Sequence, residues 1–200
     1  MNIVVIFPTA TEARRFNRPG VTVVIGGVGL TATAYSTLKT IQQHQPEVLI
    51  LAGVAGMYPK APLAIGDTVL VSSECEADLG FFTVDGFVHL SQLAIDMEFE
   101  TRHTLTCPWI PTEPPLALAK SCSLNAAMAP FVDITGIDIE NMEGAAFFHV
   151  CLQEQQRFYE VRSISNVVQP GDDDWDLEGS VRNLTDGLNH LIDVLQSAPA

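Results

Sequence analysis

Apolar residues in this chain fall into short continuous runs that alternate with helical periodicities, the pattern of strands buried on both faces and separated by helices. Asn2 to Phe7 is a Val/Ile-rich run stopped by Pro8, and Val21 to Ile25 is a second apolar strand followed by Gly26-Gly27-Val28-Gly29. A helix with Leu30, Ala34, Leu38 and Ile41 on one face comes next. Val48 to Leu51 then reads as a buried strand running into Gly53-Val54-Ala55-Gly56. Thr68 to Ser72 and Tyr159 to Ile164 are further strands, Ser121 to Met128 fits strand or loop, and Asp85-Gly86 reads as the turn of a hairpin. One helix begins near Glu143 and carries Ala145, Ala146, Phe147, Phe148 and Val150. The last helix places Val181, Leu184, Leu188, Leu191 and Leu195 at spacings of three and four, with Asp172, Asp173 and Asp174 ahead of it, where a helix N-terminus favours acids. Four prolines between Cys107 and Pro115 exclude regular structure and predict a surface loop or a lid.

Two hundred residues, 47% apolar and without a linker-like stretch, predict one α/β domain spanning 1–200. The net charge of -14 repels phosphate backbones, so nucleic acid is excluded as a partner. Cys75, Cys107, Cys122 and Cys151 include no CxxC pair, and the histidines show no ligand spacing. Free thiols, a reducing compartment and no metal are the expectation. No apolar stretch reaches the roughly 18 residues that span a bilayer, and MNIVVIFP has no basic leader, so a soluble cytoplasmic protein without membrane contact is expected.

Pro8 to Glu12 follows the first strand, at the end where open α/β sheets bind ligands. Glu12 there reads either as a reacting carboxylate or as the acid of a short helix, Glu12 to Phe16. The GGVGLTAT segment lacks the third glycine of a dinucleotide fingerprint, and no cofactor is predicted. Its Gly27, and the backbone of Val54, Ala55 and Gly56, allow close approach to a ligand. Glu140, Met142 and Glu143 precede a helix whose N-terminus favours an ionised Glu143, an acceptor suited to two neighbouring hydroxyls. Asp78 in ECEADLG is open between ligand contact and turn acid, and Asn125 offers both a donor and an acceptor.

Taken in order, Glu12 after the first strand, GGVGLTAT at Gly26 to Thr33, GVAG with Gly66-Asp67, NMEGAA at Asn141 to Ala146 and VRSISN at Val161 to Asn166 resemble the purine nucleoside phosphorylase and nucleosidase superfamily. Within it, EADLG at Glu76 to Gly80, ENMEGAAFF at Glu140 to Phe148 and ISN followed by a Trp resemble the futalosine hydrolases of menaquinone biosynthesis. The resemblance implies a three-layer α/β/α sandwich around a mixed central sheet, and a homo-oligomer, dimer or tetramer. It implies hydrolysis of the N-glycosidic bond of futalosine to dehypoxanthine futalosine and hypoxanthine. It assigns Glu12 to water activation, Glu143 to ribose hydroxyls with Met142 against the sugar, and Asn166 to the purine. Gly27, Val54, Ala55, Gly56, Asp78 and Asn125 complete the implied substrate contacts.

An Asn amide at 166 donates to O6 and accepts from a protonated N7, which favours departure of a 6-oxopurine over adenine. No arginine adjoins the glycine segments, so water is favoured over phosphate as nucleophile. Arg14 and Arg15 are adjacent and do not share a face. The substrate's distal carboxylate requires a cation, for which Arg162, Lys60 or a neighbouring subunit are the candidates. The alternatives are a methylthioadenosine/adenosylhomocysteine nucleosidase and a noncatalytic nucleoside-binding protein.

Overall fold

The computed structural model describes residues 1–94, 103–169, 171 and 175–197, so the acidic run Asp172 to Asp174 lies outside the described residues. In chain order the elements are β1 (Ile3–Phe7), α1 (Ala10–Ala13), β2 (Val21–Ile25), α2 (Leu30–His44), β3 (Val48–Met57), β4 (Thr68–Glu74), β5 (Gly80–Thr83) and β6 (Gly86–His89). They continue with β7 (Leu105–Thr106), β8 (Ala117–Ser123), β9 (Ile139–Asn141), α3 (Gly144–Gln153), β10 (Phe158–Val167) and α4 (Leu177–Ser197). A mixed sheet runs β10-β4-β8-β9-β3-β1-β2, with β7 added to β4 and a further pairing of β10 to β3.

Alternate residues of the central strands face two different helical layers. Ile3, Val5, Ile50, Tyr159 and Val161 pack with Leu184, Leu188, Leu191 and Leu195 of α4. Val4, Ile6, Leu49, Leu51, Phe158 and Ile164 pack with Phe147, Phe148 and Cys151 of α3. The α4 residues are those expected from its three-and-four spacing, and the α/β/α layering follows from strands that are apolar at every position. In α2 the buried face differs from expectation. Leu30 is joined by Thr33, Thr37 and Thr40, whereas Ala34, Leu38 and Ile41 are only half-buried. Small β-branched residues meet the sheet there, and the larger ones flank them.

Three boundaries also differ from the sequence reading. The segment expected to leave the third strand as a glycine loop is strand throughout, because β3 continues to Met57 in register with β10. The short helix begins at Ala10, before Glu12, with Thr9 as its cap. In the hairpin Thr83 pairs with Gly86, so Val84 and Asp85 form the turn and Gly86 belongs to β6.

The length of β3 creates the feature that places the site. Its first residues pair with β1 from Val48 to Leu51, and its last, Gly56 and Met57, pair with β9 on that side. Between them the sheet forks, and the edge of β3 at Val54 has no neighbouring strand. An unpaired buried edge needs other hydrogen-bond partners. The cavity described below opens at this fork.

Truncating the α4 anchor by Leu188→Ala is expected to lower the unfolding free energy by about 2–5 kcal/mol. Val23→Ala on the exposed edge of β2 should cost less than about 1 kcal/mol. Urea unfolding followed by circular dichroism measures both.

Candidate active site

The partners missing from the fork in β3 are supplied by two side chains. The Val54 N–H donates to Glu12 Oε1 at 3.1 Å, and the Val54 carbonyl accepts from Arg162 Nη1 at 3.1 Å. Glu12 reaches Val54 because Thr9, two residues after β1, starts α1. Thr9 Oγ1 accepts from the Glu12 N–H at 3.2 Å and donates to Glu12 Oε2 at 2.6 Å. Gly53 lies directly beneath: a Cβ there would sit 2.5 Å from Arg162 Nη1 and 3.0 Å from Glu12 Oε1. A glycine is required for this approach.

Arg162 is buried and carries the charge balance of the site. Its Nε donates to Glu160 Oε1 at 2.7 Å, Nη1 to Glu143 Oε2 at 3.2 Å and Nη2 to Asn141 Oδ1 at 3.0 Å. Burial opposes its charge, but Glu160, Glu143 and Glu12 outweigh burial and raise its pKa. The sequence reading placed Arg162 among the partners for a substrate carboxylate. The structure removes it from that role, since its donors are consumed internally and its side chain is 1% exposed.

Glu143 also differs from expectation in what holds it. The expected attraction to the helix N-terminus is replaced by Arg162 and by the Gly29 N–H, which donates to Glu143 Oε1 at 3.1 Å. The N-terminus of α3 is capped by Asn141 and Ser123. Asn141 Oδ1 accepts from the Glu143 and Gly144 N–H groups, both at 2.7 Å, and Ser123 Oγ accepts from Ala145 N at 2.8 Å. Glu140 also lines the cavity described below, and it accepts from Tyr58 Oη at 2.7 Å and from the Met128 N–H at 2.8 Å.

Asn166 is positioned by a bulge. The β10–β3 register places Ile164 against Ala55 and Asn166 against Gly56, leaving Ser165 as an extra residue. In a regular strand successive side chains point to opposite faces, whereas here both Ser165 and Asn166 line the cavity. Asn166 Nδ2 donates to the Val167 carbonyl at 3.2 Å and Oδ1 lies 2.9 Å from Ser165 Oγ, which fixes the orientation of the amide.

These groups converge on one cavity of about 400 Å³, a volume suited to a small-molecule ligand. Glu12, Val54, Ala55, Gly56, Met142, Glu143 and Asn166, all expected at the site, line it. Gly27 does not. Its neighbours Val28, in the wall, and Gly29, through its N–H, make the approach instead. Asp78 and Asn125 are paired with each other, Asp78 Oδ2 accepting from Asn125 N at 2.7 Å, and neither lines this cavity. The proline-rich segment is a loop rather than a lid. Cys107 anchors it to the Phe158 carbonyl, at the opposite end of β10 from Asn166, and none of its residues borders the cavity. The sequence reading missed Thr9, Met128, Trp175 and Leu177. Only Thr9, three residues before Glu12, carried a local signal, that of a capping box.

Behind the site, Glu74 and Glu160 flank Gly144, where a Cβ would lie 2.2 Å from Glu74 Oε1 and 2.6 Å from Glu160. Burial, then the Glu160 charge, pushes the Glu74 carboxyl well above the usual carboxylate range. Burial likewise raises Glu160.

Sheet, helical layers and cavity together define a nucleoside phosphorylase-like α/β/α protein. The structure superposes on the methylthioadenosine/adenosylhomocysteine nucleosidase of Neisseria meningitidis with a TM-score of 0.76 and 17% identity, over 96% of this chain and 99% of that one. The adenosylhomocysteine nucleosidase of Streptococcus pyogenes gives 0.77 and 16%, over 100% and 98%. In sequence the chain is 32% identical to a futalosine hydrolase of Thermus thermophilus over 156 residues, 70% of this chain and 66% of that protein. It is 26% identical to a futalosine hydrolase of Streptomyces coelicolor over 90% of this chain and 86% of that protein. No family model matches the chain. It belongs to the futalosine hydrolase family.

A buried acid with a raised pKa contributes stability below the ordinary carboxylate range and loses it as pH rises through the folded value. Glu74→Gln should therefore gain stability relative to wild type as pH rises above the ordinary carboxylate range, measured by urea unfolding at each pH. A constant difference would show that Glu74 does not carry the proton.

Proposed function

We propose that this protein hydrolyses the N-glycosidic bond of futalosine, releasing hypoxanthine and dehypoxanthine futalosine as a step in menaquinone biosynthesis. The observation carrying this reading is the meeting of Glu12, Glu143 and Asn166 in one cavity at the fork of β3. Glu12, oriented by Val54 and Thr9, takes a proton from water as the water oxygen bonds to the anomeric carbon. The C1′–N9 bond breaks, its electron pair passes to the purine, and the purine takes up a proton from solvent at N7.

Glu143 accepts from Gly29, Met142 and Arg162, three of about four positions a carboxylate offers. One ribose hydroxyl fits the open position on Oε1. A second requires the Gly29 N–H to be released. Asn166, with one Nδ2 hydrogen committed to Val167, retains one donor for O6 and an Oδ1 acceptor for a protonated N7. It supplies no proton of carboxylic-acid strength for adenine departure, which favours futalosine over methylthioadenosine.

Water rather than phosphate is the nucleophile in this reading, because Arg162 is committed to carboxylates and neither Arg14 nor Arg15 lines the cavity. Among the described residues no helix is long and apolar enough to cross a membrane. We place the protein in the cytoplasm, as one domain in a dimer or tetramer. The half-exposed Val23, Ile25 and Val28 beside the cavity support association.

Incubated without phosphate, the protein is expected to release hypoxanthine from futalosine and no adenine from methylthioadenosine. A requirement for phosphate overturns the hydrolytic reading, and absence of purine from either compound favours a binding protein. Glu12→Gln should reduce kcat by about 10²–10⁴-fold with an unchanged melting temperature. Asn166→Asp should shift preference toward 6-aminopurine nucleosides, and an unchanged ratio of kcat/KM would sink the purine assignment.

A further inference from the structure

With Arg162 sealed in the floor of the site, the distal carboxylate of the proposed substrate lacks a partner there. The rim supplies one. Thr11 of α1 and Leu177 of α4 both line the cavity. Arg14 and Arg15 follow the end of α1 directly, three and four residues beyond Thr11. Glu178 follows Leu177 directly. Glu178 Oε1 accepts from Arg15 Nε at 2.9 Å and from Arg15 Nη2, and its Oε2 accepts from Arg14 Nη2. Two guanidiniums thus already hold one carboxylate beside the cavity mouth. Arg182, one turn further along α4, adds its charge, and the Arg15 hydrogen bond followed by these charges holds Glu178 below the usual carboxylate range.

The placement is unusual for this chain. It has ten Lys and Arg against twenty-four Asp and Glu, and three of the ten gather around Glu178. Arg14, Arg15 and Glu178 are each about half exposed, at 43%, 48% and 55%. Exposed ion pairs contribute little net stability, so exchanging one carboxylate for another costs little. Arg14, Arg15 and Glu178 do not themselves line the cavity but follow Thr11, Glu12 and Leu177, which do, whereas Lys60, the other candidate on this chain, adjoins no lining residue.

We propose that Arg14 and Arg15 form the specificity subsite for the substrate's distal carboxylate, with Glu178 occupying that subsite until the substrate displaces it. This rests on the reading of the cavity as a futalosine site. The recognition is charge-assisted and solvent-facing, so it weakens with added salt.

The test compares futalosine with its carboxyl methyl ester on wild type, the Arg14→Ala/Arg15→Ala double variant and Glu178→Ala, at low ionic strength. The double variant should raise KM for the acid about tenfold or more, change kcat less than about twofold and leave KM for the ester unchanged. Glu178→Ala breaks the same ion pairs but frees the arginines, so its KM for the acid should match or fall below wild type. A double variant that shifts acid and ester equally overturns the proposal. So does a Glu178→Ala variant that raises KM as much as the double variant, because the ion pairs would then act only as a tie between α1 and α4. If wild type releases no hypoxanthine, the functional reading fails separately. Calorimetric affinities of acid and ester for the same proteins then decide the subsite, and equal affinities overturn it.

Discussion

One buried guanidinium holds this site together. Arg162 donates to Glu160, Glu143, Asn141 and the Val54 carbonyl, and it lies across Gly53 from Glu12. A lone buried charge is costly, and removing one member of such a group strands the others, at about 3–5 kcal/mol. The arrangement persists because each donor of the fork has an acceptor and because an excess of carboxylates surrounds the single cation. Burial, and for Glu74 then the Glu160 charge, raises the carboxyls of Glu74 and Glu160, which stand behind the working groups.

The working carboxylates are thereby fixed before any ligand arrives. Glu12 is tied to a strand edge and to a helix cap, and Glu143 to Arg162 and a glycine amide. Such preorganised acceptors need little rearrangement as charge develops. The outer wall is different in kind. Val28, Trp175, Leu177 and the Arg14–Arg15–Glu178 cluster are exposed or half exposed, and their contacts are few. Chemistry is assigned to the rigid interior and recognition of the distal part of a ligand to the rim.

The strands and α4 were legible because a period of two or of three and four survives in the residue order. Continuous runs such as Ile3–Phe7 and the leucines of α4 could fit no other layer. Glu12, Glu143 and Asn166 were legible through motif resemblance, and the structure brings them together. What could not be read were long-range choices. Glu160, two residues before Arg162 on the same strand, hints at an internal counter-ion, but the rest of the decision is made by Glu143 and Val54, many residues away. The fork in β3 was equally hidden, because glycines at 53 and 56 suggest a loop unless the pairing with β10 and β9 is known. Asp78 and Asn125 satisfy one another across 47 residues, a pairing that neither position announces.

The fork in β3 has one more consequence. A strand that exchanges one neighbour for another midway presents main-chain groups at a point where side-chain replacement cannot remove them. The proposed catalytic carboxylate, Glu12, is tied to that backbone position, so its location depends on the sheet as well as on its own helix cap. Drift in the outer loops would alter which molecules are admitted while the tie to Val54 keeps the proposed catalytic carboxylate in place. A junction of this kind separates the history of substrate choice from the history of bond cleavage within a single chain.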